Sequence, residues 1–314
     1  MKILVTGATG FIGTRLVKRL CEERHYVVCI IRKTSNVKGL QGTGAKLVTA
    51  DITDVTELER IFYREMPDIV FHCAASVRDP DEKKLFNINV QGTRNILELS
   101  FIYRVKRVVY LSSIAVINGN HETPLTDEFP YSARNAYGRS KVEAEKIALD
   151  YRQRGLNVAI LRPCMVYGEG EPHALDRILS LVKKRLTPVP DLPDVENKLH
   201  LVYVGNLVQA MELAMKKKEA LQGTFLIADK GVITIRKFLE VASEELGAGK
   251  PRAIPGWLMK LAIALPPVRR FFNDLLKNRE YDISRAEGLL GYRPEMSTEE
   301  ALRKTVRYWK ENSC

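Results

Sequence analysis

No two cysteines in this chain are spaced as a CxxC pair. The five present (Cys21, Cys29, Cys73, Cys164, Cys314) in 314 residues suggest no disulfide framework. Four of them lie in or beside apolar runs, where a free thiol behaves as a small hydrophobe, so a reducing cytoplasm is the expected compartment. His25, His121, His173 and His200 do not fall at metal-ligand spacings, and His72 sits in an apolar strand as a core residue would, so no metal site is expected. The longest apolar stretch, around 257–268, is broken by Lys260 and by Pro266 and Pro267 and is too short to cross a bilayer. The opening residues carry no signal-peptide anatomy. Internal repeats and low-complexity tracts are lacking, and so are basic clusters interleaved with aromatics, so nucleic acid is not an expected partner.

What is present is an excess of cations. Lys and Arg total 49 against 38 Asp and Glu, a net charge of +11. They are scattered over many helical stretches, which fits a solvated basic surface, with a phosphate-bearing cofactor or an anionic membrane surface as further claimants. A hydrophobic fraction of 45% and a charged fraction of 28% are ordinary for a globular chain long enough for one large domain or two modest ones.

Strand and helix patterns alternate. Residues 2–6, 26–32, 45–51, 68–75, 107–113 and 157–163 read as strands. Residues 12–24, 55–65, 85–103 and 135–154 read as helices. The strands are near-continuous Val/Ile/Leu runs rather than alternating ones, which marks strands buried on both faces of a parallel sheet. The expected fold is therefore α/β, a doubly wound parallel sheet of the Rossmann kind, with ligands at the carboxyl ends of its strands. Beyond Pro163 prolines multiply and helices dominate, which suggests a smaller, mainly helical substrate-binding region on the C-terminal side. Two more strands are expected at 199–204 and 223–229, the second returning to the main sheet. The expected division is 1–165 plus about 200–230 for the dinucleotide domain, and about 166–199 plus 231–314 for the substrate region. A capping-box pattern, Ser297 to Glu300, opens the last helix.

Between the first strand and first helix lies Thr6-Gly7-Ala8-Thr9-Gly10-Phe11-Ile12-Gly13. Gly7 would permit the tight turn, Gly10 the approach of backbone to a pyrophosphate, and Gly13 close helix–strand packing, with Thr9, Phe11 and Ile12 completing the cradle. Inside a βαβ unit this spacing points to a dinucleotide. An NAD site has an acid near the end of the second strand, to accept from the ribose. Here that strand ends in Arg32 and Lys33, cations that suit a 2′-phosphate, so NADP(H) is favoured and NAD(H) is the alternative. Asp51 closes the third strand, placed to accept from the adenine amino group.

Tyr137-Gly-Arg-Ser-Lys141 falls in a helical pattern, so Tyr137 and Lys141 share a face one turn apart. A phenol titrates near pH 10, too high for acid–base work at neutrality, and a neighbouring ammonium is expected to lower it. Tyr137 would then exchange a proton with a substrate oxygen while hydride moves between substrate carbon and nicotinamide. Lys141 would donate to the nicotinamide ribose, and Ser113, ending the fifth strand, would hydrogen-bond the same substrate oxygen.

With these motifs in hand the chain resembles an extended short-chain dehydrogenase/reductase, of the NAD-dependent epimerase/dehydratase superfamily, over nearly its whole length. The glycine loop, the acidic turn at 50–54, His72-Cys-Ala-Ala75, the stretch from Asn87 to Asn95, Ser112-Ser113, the Tyr137–Lys141 motif and Arg162-Pro-Cys-Met-Val-Tyr-Gly168 carry the likeness. The resemblance implies that Ser113, Tyr137 and Lys141 are catalytic. It also implies that Cys73, Ala74, Ala75 and Ser76 run along the pyrophosphate and ribose, and that Pro163 to Val166 line the nicotinamide. Ile52 and Leu111 are counted with the cofactor as well, and a homodimer through a helix pair including 135–154 is expected. One departure stands out: Ser112-Ser-Ile-Ala-Val-Ile-Asn-Gly119 lacks the tyrosine common after the serines, so the choice between Ser112 and Ser113 is left to the fold.

Two substitutions turn the reading away from nucleotide sugars. Met165 stands where those enzymes commonly have a substrate-contacting asparagine, and Leu199 where they have a phosphate-binding arginine. The ending Val204-Gly-Asn206 looks more like the steroid-dehydrogenase branch, the apolar segment 254–265 would suit the mouth for an oily substrate, and in character the chain is most similar to the steroid-dehydrogenase or dihydroflavonol-reductase branch. The expected activity is hydride transfer between NADP(H) and an alcohol or ketone on a largely apolar small molecule. A nucleotide-sugar 4-epimerase or dehydratase with tightly held NAD is the alternative, and a non-catalytic NADP sensor or scaffold is a third. Peripheral membrane contact through 257–265 with Arg269, Arg270 and Lys277 is a lesser reading.

Overall fold

Strand residues of alternating parity feed two different cores. Ile3 and Val5 face one side of the sheet and Leu4 the other, just as Ile69 and Phe71 oppose Val70, and all are buried. A sheet apolar on both faces has to be covered on both, and the helices supply the cover. The computed structural model describes residues 1–120, 122–171, 175–185, 189–191, 198–249, 253–255 and 278–313, with backbone only at 189–191 and 253–255.

The main sheet holds β1 (Lys2–Thr6), β2 (Tyr26–Ile31), β3 (Lys46–Thr49), β4 (Ile69–His72), β5 (Arg107–Leu111) and β6 (Val158–Pro163). Between and beyond these run α1 (Phe11–Glu22), α2 (Val55–Glu65), α3 (Glu82–Phe86), α4 (Gly92–Ile102) and α5 (Ala136–Gln153). Then follow β7 (Met165–Tyr167), α6 (Leu175–Lys183), β8 (Val189–Asp191), β9 (Lys198–Leu199), β10 (Leu201–Tyr203) and α7 (Val204–Lys216). The described chain closes with β11 (Thr224–Ile227), β12 (Ile233–Thr234), α8 (Ile235–Leu246), β13 (Ala253–Pro255) and α9 (Thr298–Asn312).

The seven-stranded sheet runs β11-β6-β5-β4-β1-β2-β3, every neighbouring pair parallel. This is the doubly wound fold expected from the sequence, with β11 returning to the sheet edge. Leu16, Val17 and Leu20 of α1 and Leu207, Met211 and Ala214 of α7 cover one face. On the other face sit Leu58 and Phe62 of α2, Ile96 and Leu97 of α4, and Ala144, Ile147 and Ala148 of α5. A third core joins α6, α8 and α9 to β7, β10 and β12. The order reverses between β1 and β4, and there the crevice for a ligand opens.

Several boundaries differ from the sequence pattern, three of them with a visible cause. The third strand stops at Thr49 because Asp51 takes the backbone into a turn, its Oδ1 accepting from Thr53 N at 2.9 Å and Thr53 Oγ1 at 2.7 Å. The helix expected at 85–103 begins earlier, capped by Asp81, and passes through a wide turn at Asn87–Gln91 before α4. There the Thr93 hydroxyl donates to the Asn89 carbonyl at 2.6 Å. The strand expected at 199–204 divides at His200, whose buried ring donates from Nε2 to the Asp229 carbonyl and accepts the Tyr281 N–H at Nδ1. The apolar segment 256–277, with Arg269, Arg270 and Lys277, lies outside the described residues, as do His121, His173 and Cys314. Among the described residues no helix is long and apolar enough to cross a membrane, and no group of side chains could hold a metal ion.

Candidate active site

Gly7 leaves β1 with φ +69°, a left-handed turn that glycine adopts without strain. A Cβ there would lie 2.7 Å from the backbone of Cys73 and Ala74, and one on Gly13 would lie 2.1 Å from the Gly7 carbonyl oxygen. Neither position admits a side chain, so the loops after β1 and β4 touch backbone to backbone. Gly10 is exposed and donates to the Gly7 carbonyl at 3.0 Å. No side chain caps α1, so its first-turn N–H groups carry no such partner at the carboxyl end of the sheet. This cradle, which only glycines permit, fits a dinucleotide pyrophosphate.

Thr9, Phe11 and Ile12 complete the loop, all partly exposed. Phe11 also carries the guanidinium of Arg15 over its ring, 4.5 Å from the centroid. Arg32 and Lys33 follow β2 and are exposed, as is Asp51 after β3. Ile52 is different: its side chain is buried, facing the spot that a Cβ on Gly92 would fill, and its carbonyl accepts from Asn95 Nδ2 at 2.9 Å. After β4, the Cys73 thiol is pushed up to about 12 by burial, while Ala74 N donates to the Thr6 hydroxyl at 3.2 Å; Ala75 is exposed. Ser76 is pinned through its backbone, Asn89 accepting its N–H at 2.7 Å and donating to its carbonyl at 2.8 Å. Pro163 is buried at the end of β6, and Val166 is partly exposed in β7.

Asn135 caps α5 by accepting from Gly138 N at 2.8 Å, which sets the helix start one residue ahead of Tyr137. Ser113 lies near enough to the Tyr137 hydroxyl to favour its ionised form. Ser113 also accepts from Ala115 N at 3.2 Å and so turns the chain away from β5. Ser112 points the other way, into the core, where its hydroxyl donates to Glu145. Adjacent residues of an extended segment face opposite sides, so the pairing of one with Glu145 leaves the other for the cleft. Lys141 is 1% exposed; its ammonium donates to the Leu111 carbonyl at 2.8 Å and lies 4.5 Å from the ring centroid of Tyr110. Leu111 thus meets the site through a carbonyl that Lys141 already holds.

The electrostatics depart from the simple expectation. Burial raises the Tyr137 pKa above its usual value, opposed by Ser113, and Lys141 is not among the groups that shift it. Burial also brings the Lys141 ammonium down to about 8, opposed by Glu145 and Cys73. The expected lowering of the phenol by the ammonium is therefore not realised in this arrangement, because the ammonium is turned to Leu111.

Several residues that organise the site were not singled out from the sequence. Asn89 bridges the turn after β4 to α5: besides Ser76 it donates to Ser140 Oγ at 2.9 Å, and Ser140 donates to the Tyr137 carbonyl at 2.8 Å. Asp229, fully buried just past β11, accepts from Tyr203 N (3.0 Å), Asn206 Nδ2 (2.7 Å), Tyr167 OH (3.1 Å) and Thr298 Oγ1 (3.3 Å). An acid ending an otherwise apolar strand was the signal for it. Asn206, read as a mark of substrate class, is a structural residue here, since its Oδ1 also accepts from Met296 N at 3.1 Å.

A parallel sheet with a glycine cradle at its switch point, and a serine, tyrosine and lysine gathered beside it, defines the extended short-chain dehydrogenase/reductase class. The chain belongs to the NAD dependent epimerase/dehydratase family, whose model matches residues 3–228, and with it to a superfamily of NAD(P)-dependent enzymes. Two kinds of enzyme are among its relatives. It is 31% identical to the UDP-glucose 4-epimerase of Vibrio cholerae, over 97% of this chain and 94% of that protein. It is 28% identical to the decarboxylating sterol-4-alpha-carboxylate 3-dehydrogenase of Schizosaccharomyces pombe, over 98% and 96%. Among solved structures, UDP-glucose 4-epimerase of Thermotoga maritima with UDP-glucose superposes with a TM-score of 0.82 at 26% identity, covering 99% of each chain.

Proposed function

We propose that this protein is an NADP(H)-linked dehydrogenase or reductase acting on an alcohol or ketone of a largely apolar small molecule, such as a steroid, isoprenoid or flavonol. Met165 carries the reading. It is 56% exposed, a large apolar side chain left open two residues beyond Pro163, at the place where nucleotide-sugar enzymes present a polar amide. Leu199, in β9 opposite β12, puts an apolar side chain where a sugar-nucleotide phosphate would need a cation. Arg32 and Lys33 are exposed beyond β2 with no acid in their place, which supports a 2′-phosphate.

The residues then divide the work. The cradle at Gly7, Gly10 and Gly13 binds the pyrophosphate, Asp51 meets the adenine, and Cys73 to Ser76 with Pro163 and Val166 wall the far end. Ser113 donates to the substrate oxygen and Tyr137 passes it a proton or takes one away. Lys141 would donate to the ribose of a bound nucleotide and, as the cation one turn from Tyr137, would favour its phenolate. The nicotinamide, when bound, supplies or accepts the hydride.

The test is NADPH oxidation by the purified protein across steroid, isoprenoid, flavonol and sugar ketones, run beside binding of UDP- and GDP-sugars. Turnover on an apolar ketone is the expected result. Tight sugar-nucleotide binding with retained NAD and no net cofactor turnover would establish the epimerase reading, which the Vibrio relative favours. On the best substrate, Tyr137→Phe should lower turnover about 100-fold or more while NADPH binding is retained. Unchanged turnover in that variant would remove Tyr137 from the chemistry.

A further inference from the structure

Below the proposed catalytic pair lies a buried ionic cluster that the reaction does not use. Glu145 sits on α5 one turn beyond Lys141 and is 0% exposed. Its Oε1 accepts from the Ser112 hydroxyl, and its Oε2 from the Tyr131 hydroxyl at 3.0 Å. Arg162 of β6 closes on the same carboxylate in a fork, Nη2 to Oε2 at 2.7 Å and Nε to Oε1 at 3.0 Å. A further N–H of Arg162 donates to the Asp127 carbonyl at 3.0 Å.

Desolvating a carboxylate and a guanidinium is costly, and apolar groups of the same size would pack as well or better. Packing alone therefore does not account for the pair. Its neighbour gives it a purpose. Lys141 is buried with its ammonium over the Tyr110 ring, and neither that ring nor His72 or Cys73, which act on it through space, carries a negative charge at neutral pH. Lys141 and Glu145 stand one turn apart on α5 and are anchored on neighbouring residues, the ammonium on the Leu111 carbonyl and the carboxylate on the Ser112 hydroxyl, which brings the two charges near each other; Glu145 is the carboxylate among the groups acting on that ammonium.

We propose that Glu145 is a positioning residue: held by Arg162, Ser112 and Tyr131, it is the counter-charge that keeps Lys141 protonated, and it fixes the segment that presents Ser113. A buried ammonium without such a partner would lose its proton. Arg162 clamps the carboxylate so that it serves Lys141 through space without leaving its hydrogen bonds. The inference rests on the reading of Lys141 as a group that meets the cofactor, but its test reads the lysine itself.

The experiment follows the side-chain 13Cε resonance of Lys141 in the full-length protein by NMR, assigned as the signal lost in Lys141→Met. In Glu145→Gln the Lys141 titration midpoint should fall by about one to three pH units. Glu145→Asp should restore part of the shift. A midpoint unchanged in folded Glu145→Gln overturns the proposal. Should that variant fail to fold, the double replacement Glu145→Leu with Arg162→Met exchanges the ion pair for apolar groups of similar volume. It carries the same expectation, a fallen midpoint, and the same overturning result. NADPH binding, followed by its fluorescence, separates this inference from the proposed function. If the midpoint falls and binding at pH 7.5 weakens, both stand. If the midpoint falls and binding is unmoved, Glu145 keeps its role and Lys141 loses its assigned contact.

Discussion

His72 lies fully buried at the end of β4, its Nδ1 2.7 Å from the Thr6 hydroxyl and its Nε2 2.9 Å from that of Thr93. Burial brings its pKa down to about 3, so the folded protein holds a neutral ring where the unfolded chain takes up a proton near 6.5. The sign follows from linkage. A depressed pKa contributes stability above the unfolded value and loses it as pH falls, here across the window from about 6.5 to about 3. At most the slope from one such group is about 1.4 kcal/mol per pH unit. His72→Asn, neutral at every pH, should flatten the urea-unfolding free energy by up to that slope over the window; identical acid limbs in the two proteins would mean the ring is not held neutral. This histidine was legible from its apolar strand alone. Ser112 and Ser113 were not, because a strand pattern says that neighbours diverge but not which faces the core. Glu145, 33 positions away, decides it through the Ser112 hydroxyl. The contacts of Ile52 were not legible either: Gly92 faces its side chain and Asn95 donates to its carbonyl.

Elements were readable wherever one physical pattern ran long enough. Apolar runs of five or six residues marked the buried strands, and the Ser297 and Glu300 pair marked the start of α9, where the structure has the full reciprocal cap. What escaped was short or held by distant groups. β7 is three residues long and exists because it pairs with β10, 36 positions on in register from Met165 to Leu201. Asp229 ties these pieces together, joining Tyr167 of β7, Tyr203 of β10, Asn206 of α7 and Thr298 of α9. Burial raises its pKa, yet every donor around it favours the charged form. Asp229→Ala would leave several buried donors without an acceptor, each worth about 1–3 kcal/mol. Denaturant unfolding should show a loss of about 3 kcal/mol or more, and Asp229→Asn, which keeps one carbonyl acceptor, a smaller one. A loss below about 1 kcal/mol for the alanine would show that α9 and β7 are secured by their apolar contacts instead.

At the scale of the whole molecule the excess charge of +11 and the cofactor question meet. A basic protein attracts any polyanion, so affinity for NADPH alone says little about a built 2′-phosphate site; the difference between NADPH and NADH does. Arg32 and Lys33 are both exposed, so their contribution should be of the screened kind, fading as the Debye length shrinks from about 10 Å at 0.1 M salt to about 3 Å at 1 M. A ligand that binds only the folded chain stabilises it by about 2.7 kcal/mol at one hundred times its Kd. NADPH at a fixed concentration should therefore raise the unfolding midpoint more than NADH does, and the gap should narrow with salt. Arg32→Ala should close most of that gap while leaving the response to NADH intact, because the glycine cradle and the pyrophosphate contact are common to both nucleotides. A larger response to NADH in the unaltered protein, insensitive to salt and to Arg32→Ala, would return the cofactor to NAD and strengthen the case for an epimerase.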